Sequence, residues 1–250
     1  MHEAVTTWQN RNDLNDLYQD DSEWIGMLES SLLAGFEETC VDFAEHLESF
    51  DLRVFHACRP IDVGEYIRGG LSVASWESRR HGLVESIRDL KISTTDADLL
   101  MQSFEEAAPE DDIDIDAVFV AVDNRHLIQS CGHYLILGSE WIAAYLGQAY
   151  YSALRERGIP TLLHLRLPLS WTSSQARAEL ARELFREWTR LTALRESSVR
   201  DIDFTFRLTT AIPPENLLDH THPEQIPDPH HPQGWGRIWR NPNTRCPHCS

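Results

Sequence analysis

"RVFHACRP", residues 53–60, is the stretch on which the reading of the fold turns. Val54 and Phe55 are β-branched and aromatic, the side chains that a pleated strand favours. The run "LRVFHAC" (52–58) therefore predicts a buried strand. Pro60 follows where a helix accepts proline, at its first position. "PIDVGEYIRGGL" reads as a short helix stopped by Gly69 and Gly70. A strand that ends in His56 and Arg59 just before a helix places two polar side chains at a strand–helix junction, where ligands often bind in sheet proteins.

The rest of the chain sets the context. It has 250 residues, enough to bury a sizeable core, with 42 % hydrophobic and 25 % charged residues. No run of eighteen apolar residues is present, so no membrane contact is expected. The first 21 residues are polar and acidic and lack the basic start and apolar centre of a secretory signal, which predicts a cytoplasmic location. The formal net charge is −18. Such a field repels nucleic acid at long range but does not exclude a local basic groove. Five scattered cysteines, Cys40, Cys58, Cys131, Cys246 and Cys249, argue against a disulfide framework in this setting.

Helical spacing of Trp24, Leu28, Leu32, Phe36, Phe43 and Leu47 predicts one or two N-terminal helices, with partner binding as an alternative to core packing. Residues 72–108 read as mainly helical, with a Thr-x-x-Asp cap at Thr95 and Asp98. "PEDDIDID" (109–116) reads as a solvated acidic loop. "AVFVAV" (117–122) predicts a strand, "HLIQS" (126–130) another, and "CGHYLIL" (131–137) an extended continuation. A helix from Glu140 runs to Gly158 and Pro160. "TLLHLRL" (161–167) alternates as a strand does. A Thr-x-x-Gln cap at Thr172 and Gln175 opens a long helix, and "DIDFTFRLTTAI" (201–212) is a last strand. The tail from His220 is loop-like, with no periodicity. The division is an acidic helical extension (1–50), a core domain (51–220) and a Pro/His/Cys-containing tail (221–250).

Four motifs stand out in order: "FHAC", "IRGGL", "GHYLILGSEWIAAY" and "TTAIPPENLL". Together they resemble the His-Tyr branch of the ADP-ribosyltransferase superfamily, which includes poly-ADP-ribose polymerases, tRNA 2′-phosphotransferases and bacterial toxins that modify nucleic acids. The resemblance spans roughly residues 52–220. It implies an α+β fold with a split β-sheet core, and NAD as substrate. By the same resemblance His56 binds the adenosine ribose hydroxyl or fixes the nicotinamide-side backbone, and the backbone at Ala57 takes the nicotinamide amide. Tyr134 stacks on the nicotinamide ring, and Arg59 pairs with the pyrophosphate. Ser139 and Tyr145 complete the cofactor-binding set, and Glu140 joins His56 and Tyr134 as catalytic. Ser139 and Glu140 also read as ordinary helix-start residues. Taken singly, His56 reads equally as a structural histidine and Tyr134 as a core aromatic; only the joint order selects the functional reading.

The sequence departs from the family at the last strand. Transferring members carry a glutamate there, and "DIDFTFRL" has none; Asp203, Thr205 and Arg207 are the nearby alternatives. The expected activity is therefore mono-ADP-ribosylation by a toxin or defence effector, with RNA, DNA or protein as acceptor and an antitoxin or inhibitor protein as a partner. Water as acceptor makes the chain an NAD hydrolase. Arg53, Arg59, Arg68, Arg79, Arg80 and Arg125 are candidates for a nucleic-acid surface. The contrasting reading is a catalytically inactive module of the same fold that binds a nucleotide or a protein. In the tail, Cys246 and Cys249 supply two ligands of a tetrahedral zinc site, with His248, His220, His222, His230 and His231 available to complete it.

Overall fold

The structure, a computed structural model, describes residues 25–26, 35–106, 115–194, 199–231 and 237–249. It is α+β. Elements run α1 (Phe36–Leu47), β1 (Asp51–Cys58), α2 (Gly64–Gly69), α3 (Trp76–Asp89), α4 (Thr94–Glu106), β2 (Val118–Ala121), α5 (Asn124–Gln129), α6 (His133–Ile136), α7 (Glu140–Leu146), α8 (Tyr151–Glu156) and β3 (Thr161–Pro168). Then come α9 (Ser174–Leu194), β4 (Thr205–Leu208), β5 (Leu217–Thr221), β6 (Gln225–Asp228) and β7 (Arg237–Arg240). Five strands hydrogen-bond in the continuous order β4-β2-β1-β3-β5, and β6 and β7 form a separate antiparallel pair. The resemblance implies a split β-sheet core; the described strands form this five-stranded sheet and the separate β6–β7 pair.

Internal contacts divide the chain into two units, one reaching to Leu52 and including Pro168–Phe204, the other formed by Arg53–Leu167 with Thr205–Ser250. In the first, α1 and α9 lie antiparallel. Phe36 and Phe43 both meet the Phe185 ring, at 6.2 and 5.3 Å between centroids. Arg177 is buried at the other end of the pair. Its guanidinium donates to the carbonyls of Ala44, Leu169 and Thr172 and to the Glu48 carboxylate. One residue thus satisfies backbone acceptors that burial otherwise strands. The expected positions Trp24, Leu28 and Leu32, and most of the acidic loop, lie outside the described residues.

In the second unit the core is a cluster of Ala57, Leu83, Phe104, Leu135, Ile136, Leu162 and Ile226 with their neighbours. Across one end of the sheet a polar ladder links three adjacent strands. Arg53 on β1 donates to His164 Nδ1 on β3 at 2.5 Å, and His164 Nε2 donates to Thr221 Oγ1 on β5 at 3.1 Å. A guanidinium only donates, so His164 is neutral, with its proton on Nε2.

Several elements differ from the sequence reading. "HLIQS" is helical, not a strand: the Asp123 carboxylate accepts from Arg125 N at 2.8 Å and caps α5. "CGHYLIL" is not extended; it forms the single turn α6, because a short apolar run fits a buried turn as well as a strand. The helix opening at Glu140 stops at Leu146, where Gly147 takes φ 76°, and resumes as α8. The caps are displaced from the expected ones: Ser93, two residues before Thr95, takes Asp96 N, and Ser173, one residue after Thr172, takes Ala176 N. The last strand spans only Thr205–Leu208, and a further strand, β5, follows it. The tail is not irregular, since it contains the β6–β7 pair with Ile226 fully buried.

Arg177→Ala is expected to lower stability by about 3 kcal/mol, because it strands three carbonyls at once. Urea denaturation followed by far-ultraviolet circular dichroism checks this; an unchanged midpoint contradicts the role assigned to Arg177.

Candidate functional site

The strand–helix junction after β1 is built around Arg59. Its Nε donates to the Arg157 carbonyl at 2.6 Å, one Nη to Leu135 O at 2.9 Å and the other to Arg155 O. Arg155 and Arg157 lie at the C-terminal end of α8, where carbonyls lack helical partners. The guanidinium also lies 5.2 Å from the Trp239 ring centroid. Burial draws its pKa down to about 10, which leaves it charged at neutral pH. All three guanidinium nitrogens are committed to the backbone. Arg59 is thus a clamp: each guanidinium nitrogen donates to a backbone carbonyl, whereas the resemblance implies a pyrophosphate partner.

The clamp brings two motifs to the end of β1. Through Leu135 O it holds α6, which carries Tyr134. The turn at Gly138 packs on it as well, with the Gly138 Cβ position 3.5 Å from Arg59 Cβ. On this segment Tyr134 Oη donates to Glu140 Oε2 at 2.7 Å. His133 Nε2 lies 3.5 Å from the same oxygen, and the His133 and Tyr134 rings are 4.2 Å apart. Glu140 itself is 62 % exposed. Burial lowers the pKa of His133, and Glu140 opposes that shift. The sequence does not single out His133; its adjacency to Tyr134 is the one cue, and it is not specific.

His56 lies on β1 with Nδ1 2.9 Å from the Phe119 carbonyl on β2. A carbonyl only accepts, so Nδ1 carries the proton and Nε2 is the acceptor. Burial lowers its pKa, and the bond to Phe119 partly offsets this. The "GL" and "IPP" motifs also meet. Leu71 and Ile212 exchange backbone hydrogen bonds at 2.8 Å each. Gly70 has φ 73°, and a Cβ there would lie 2.2 Å from Ile212 O, so glycine is required.

Other expected site residues have structural posts. Ser139 caps α7, accepting from Ile142 N at 3.3 Å. Tyr145 packs on Trp141 and Phe104 in an aromatic cluster. Ala57 is buried in the core. Asp203 lines a cavity of about 250 Å³ with Glu183, Arg186, Glu187 and Arg200. The arginines read as a nucleic-acid surface each have a partner within the chain: Arg53 meets His164, Arg68 meets Asp62, Arg80 meets Glu105, Arg125 meets Asp123, and Arg79 lies over the Trp141 ring.

In the C-terminal region the ligating atoms of His220, His222, Cys246 and Cys249 lie within 4.8 Å of one another, a donor set that suits a metal ion. His248 stands outside this group, with Nε2 3.0 Å from Asp62 Oδ1. No protein-family model, curated protein or solved structure matches the chain.

Arg59→Lys is expected to cost about 2 kcal/mol, since an ammonium does not span three carbonyls held in a planar fork; chemical denaturation measures it. His56 has a separate signature. Its folded pKa is below the ordinary 6.5, so the unfolded chain takes the proton first, and stability falls as pH drops through about 6.5 toward the folded value. Melting temperatures between pH ~7.5 and ~5.5 should fall less steeply in His56→Gln than in the parent chain.

Proposed function

We propose that the chain is an NAD-dependent mono-ADP-ribosyltransferase whose reaction takes place at the end of β1. The observation that carries this reading is the Tyr134–Glu140 hydrogen bond, held on a segment fastened to Arg59, three residues beyond His56. It joins two of the motifs behind the resemblance and adds a carboxylate beside the tyrosine, where the last strand supplies no glutamate.

In this reading His56 Nε2 accepts a hydrogen bond from a ribose hydroxyl of NAD. Its bond to Phe119 keeps it in the required tautomer. Tyr134 offers a ring face to nicotinamide. The bond between ribose C1′ and the nicotinamide nitrogen breaks, and its electron pair leaves with neutral nicotinamide. An oxygen or nitrogen of the acceptor bonds to C1′ and gives its proton to the Glu140 carboxylate. Positioning and charge stabilisation then supply the rate, as suits a transition state with cationic ribose. With water as acceptor the same site is an NAD hydrolase. The competing reading, an inactive module that binds a nucleotide or a protein, is favoured by the missing strand glutamate.

Purified chain incubated with NAD is expected to release nicotinamide, with label transfer in separate arms containing RNA, DNA or protein naming the acceptor. His56→Ala and Tyr134→Ala should each lower turnover at least about a hundredfold, and Glu140→Gln should lower transfer more than NAD binding. NAD binding without turnover in any arm would leave the inactive module; neither binding nor turnover sinks both nucleotide readings.

A further inference from the structure

We propose that His220, His222, Cys246 and Cys249 form a closed structural site for a zinc ion, which fastens the C-terminal turn to β5 and, through His248, to the segment that follows β1. All four donor atoms lie within 4.8 Å of one another, and three of them are spaced as neighbours around one ion would be. Cys246 Sγ and Cys249 Sγ are 3.7 Å apart, and His220 Nε2 lies 3.3 Å from the first and 3.7 Å from the second. Zinc bonds of about 2.3 Å to sulfur and about 2.0 Å to nitrogen place tetrahedral neighbours about 3.3 to 3.8 Å apart. The two thiols are not bonded to each other.

His222 provides an independent observation. Its Nδ1 is 2.8 Å from the Pro160 carbonyl and must carry the proton there. That leaves a lone pair on Nε2, which is buried without a hydrogen-bond partner. A buried acceptor with no donor is costly. A metal ion relieves it, and a carbonyl on the remote nitrogen is the usual way a ligating histidine is oriented. The sulfurs are prepared in the same way. Cys246 Sγ accepts from His248 N at 3.4 Å, and Cys249 Sγ accepts from Cys246 N at 3.3 Å. Such bonds favour thiolate. Two thiolates and two neutral imidazoles around a divalent ion give a neutral site, and four protein ligands leave no open position for catalysis.

The site has a neighbour of consequence. His248, inside the Cys246–Cys249 turn, is 3.0 Å from Asp62 Oδ1, and Gly64 N donates to that same atom at 2.8 Å. Asp62 lies between Arg59 and α2. The metal thus stiffens the loop that leaves the candidate reaction site, although it does not depend on that site being catalytic.

The test uses the full chain, purified under reducing conditions. Elemental analysis is expected to find about one zinc per chain. Cobalt(II) added to the chelator-treated chain should give the intense visible absorption of a tetrahedral site, with thiolate charge-transfer bands in the near ultraviolet. His222→Ala and Cys246→Ser should lower metal content about tenfold or more. Because loss of a ligand can also unfold the chain, Cys249→His serves as a second arm: it keeps four ligands, retains cobalt and loses about half of the thiolate charge-transfer intensity. His248→Ala should keep the metal, yet increase hydrogen exchange at Asp62–Gly64. No metal uptake by the reduced chain, a Cys246–Cys249 disulfide in its place, or zinc retained by every variant each overturns the proposal.

Discussion

The organising constraint of the sheet unit is the Arg59 guanidinium. A charged group taken partly out of water at the end of a strand must find acceptors, and helix ends have carbonyls to spare. Arg59 finds three of them on two separate segments, α8 and α6. The path of the chain through residues 132–158 is therefore tied to the end of β1 from both sides. The arginine acts through geometry. It determines where Tyr134 and Glu140 stand without touching either of them in the bonds described.

A second layer of order comes from tautomers fixed by carbonyls and guanidinium groups. His56 gives its Nδ1 proton to Phe119, and His222 gives its own to Pro160; His164 is held in the opposite tautomer by Arg53. In each case one neighbour that can only accept, or only donate, decides which nitrogen remains available. Three histidines thus take different work: an acceptor at a strand end, a buried lone pair without a donor and a link in a cross-strand ladder. Burial lowers the pKa of His56 and His164, and this favours the neutral rings that those roles need.

Charge is handled locally. The chain carries a net charge of −18, yet many of the described arginines sit in pairs, over rings or against carbonyls. Even the nearly inaccessible Asp228 is matched, by Arg155 at 2.8 Å. A buried carboxylate of this kind is tolerated because the guanidinium and the backbone N–H of His230 both reach it. Arg155 thereby joins α8 to β6 with its side chain, while its carbonyl joins α8 to β1.

Sequence alone determined the elements whose signal is local. β1 follows from its β-branched and aromatic content and β3 from alternation, α2 from the glycines that stop it, although it opens at Gly64 and not at Pro60, and α9 from its length and apolar spacing. The Cys-x-x-Cys pair was legible too, because it lies within a few residues, whereas the bond between Tyr134 and Glu140 needed the turn at Gly138. Tertiary structure decided what depends on partners far along the chain. Arg59 looked like an anion-binding fork, since free guanidinium groups are; carbonyls nearly a hundred residues away use it instead. "CGHYLIL" and "HLIQS" looked extended because short apolar runs carry no period of their own, and capping and packing selected helix. His220 and His222 meet Cys246 and Cys249 only because β5 pairs with β3 and the chain then returns to it. Local sequence encodes torsional preference and periodicity, whereas the pairing of distant donors with acceptors is set only when the sheet closes around them.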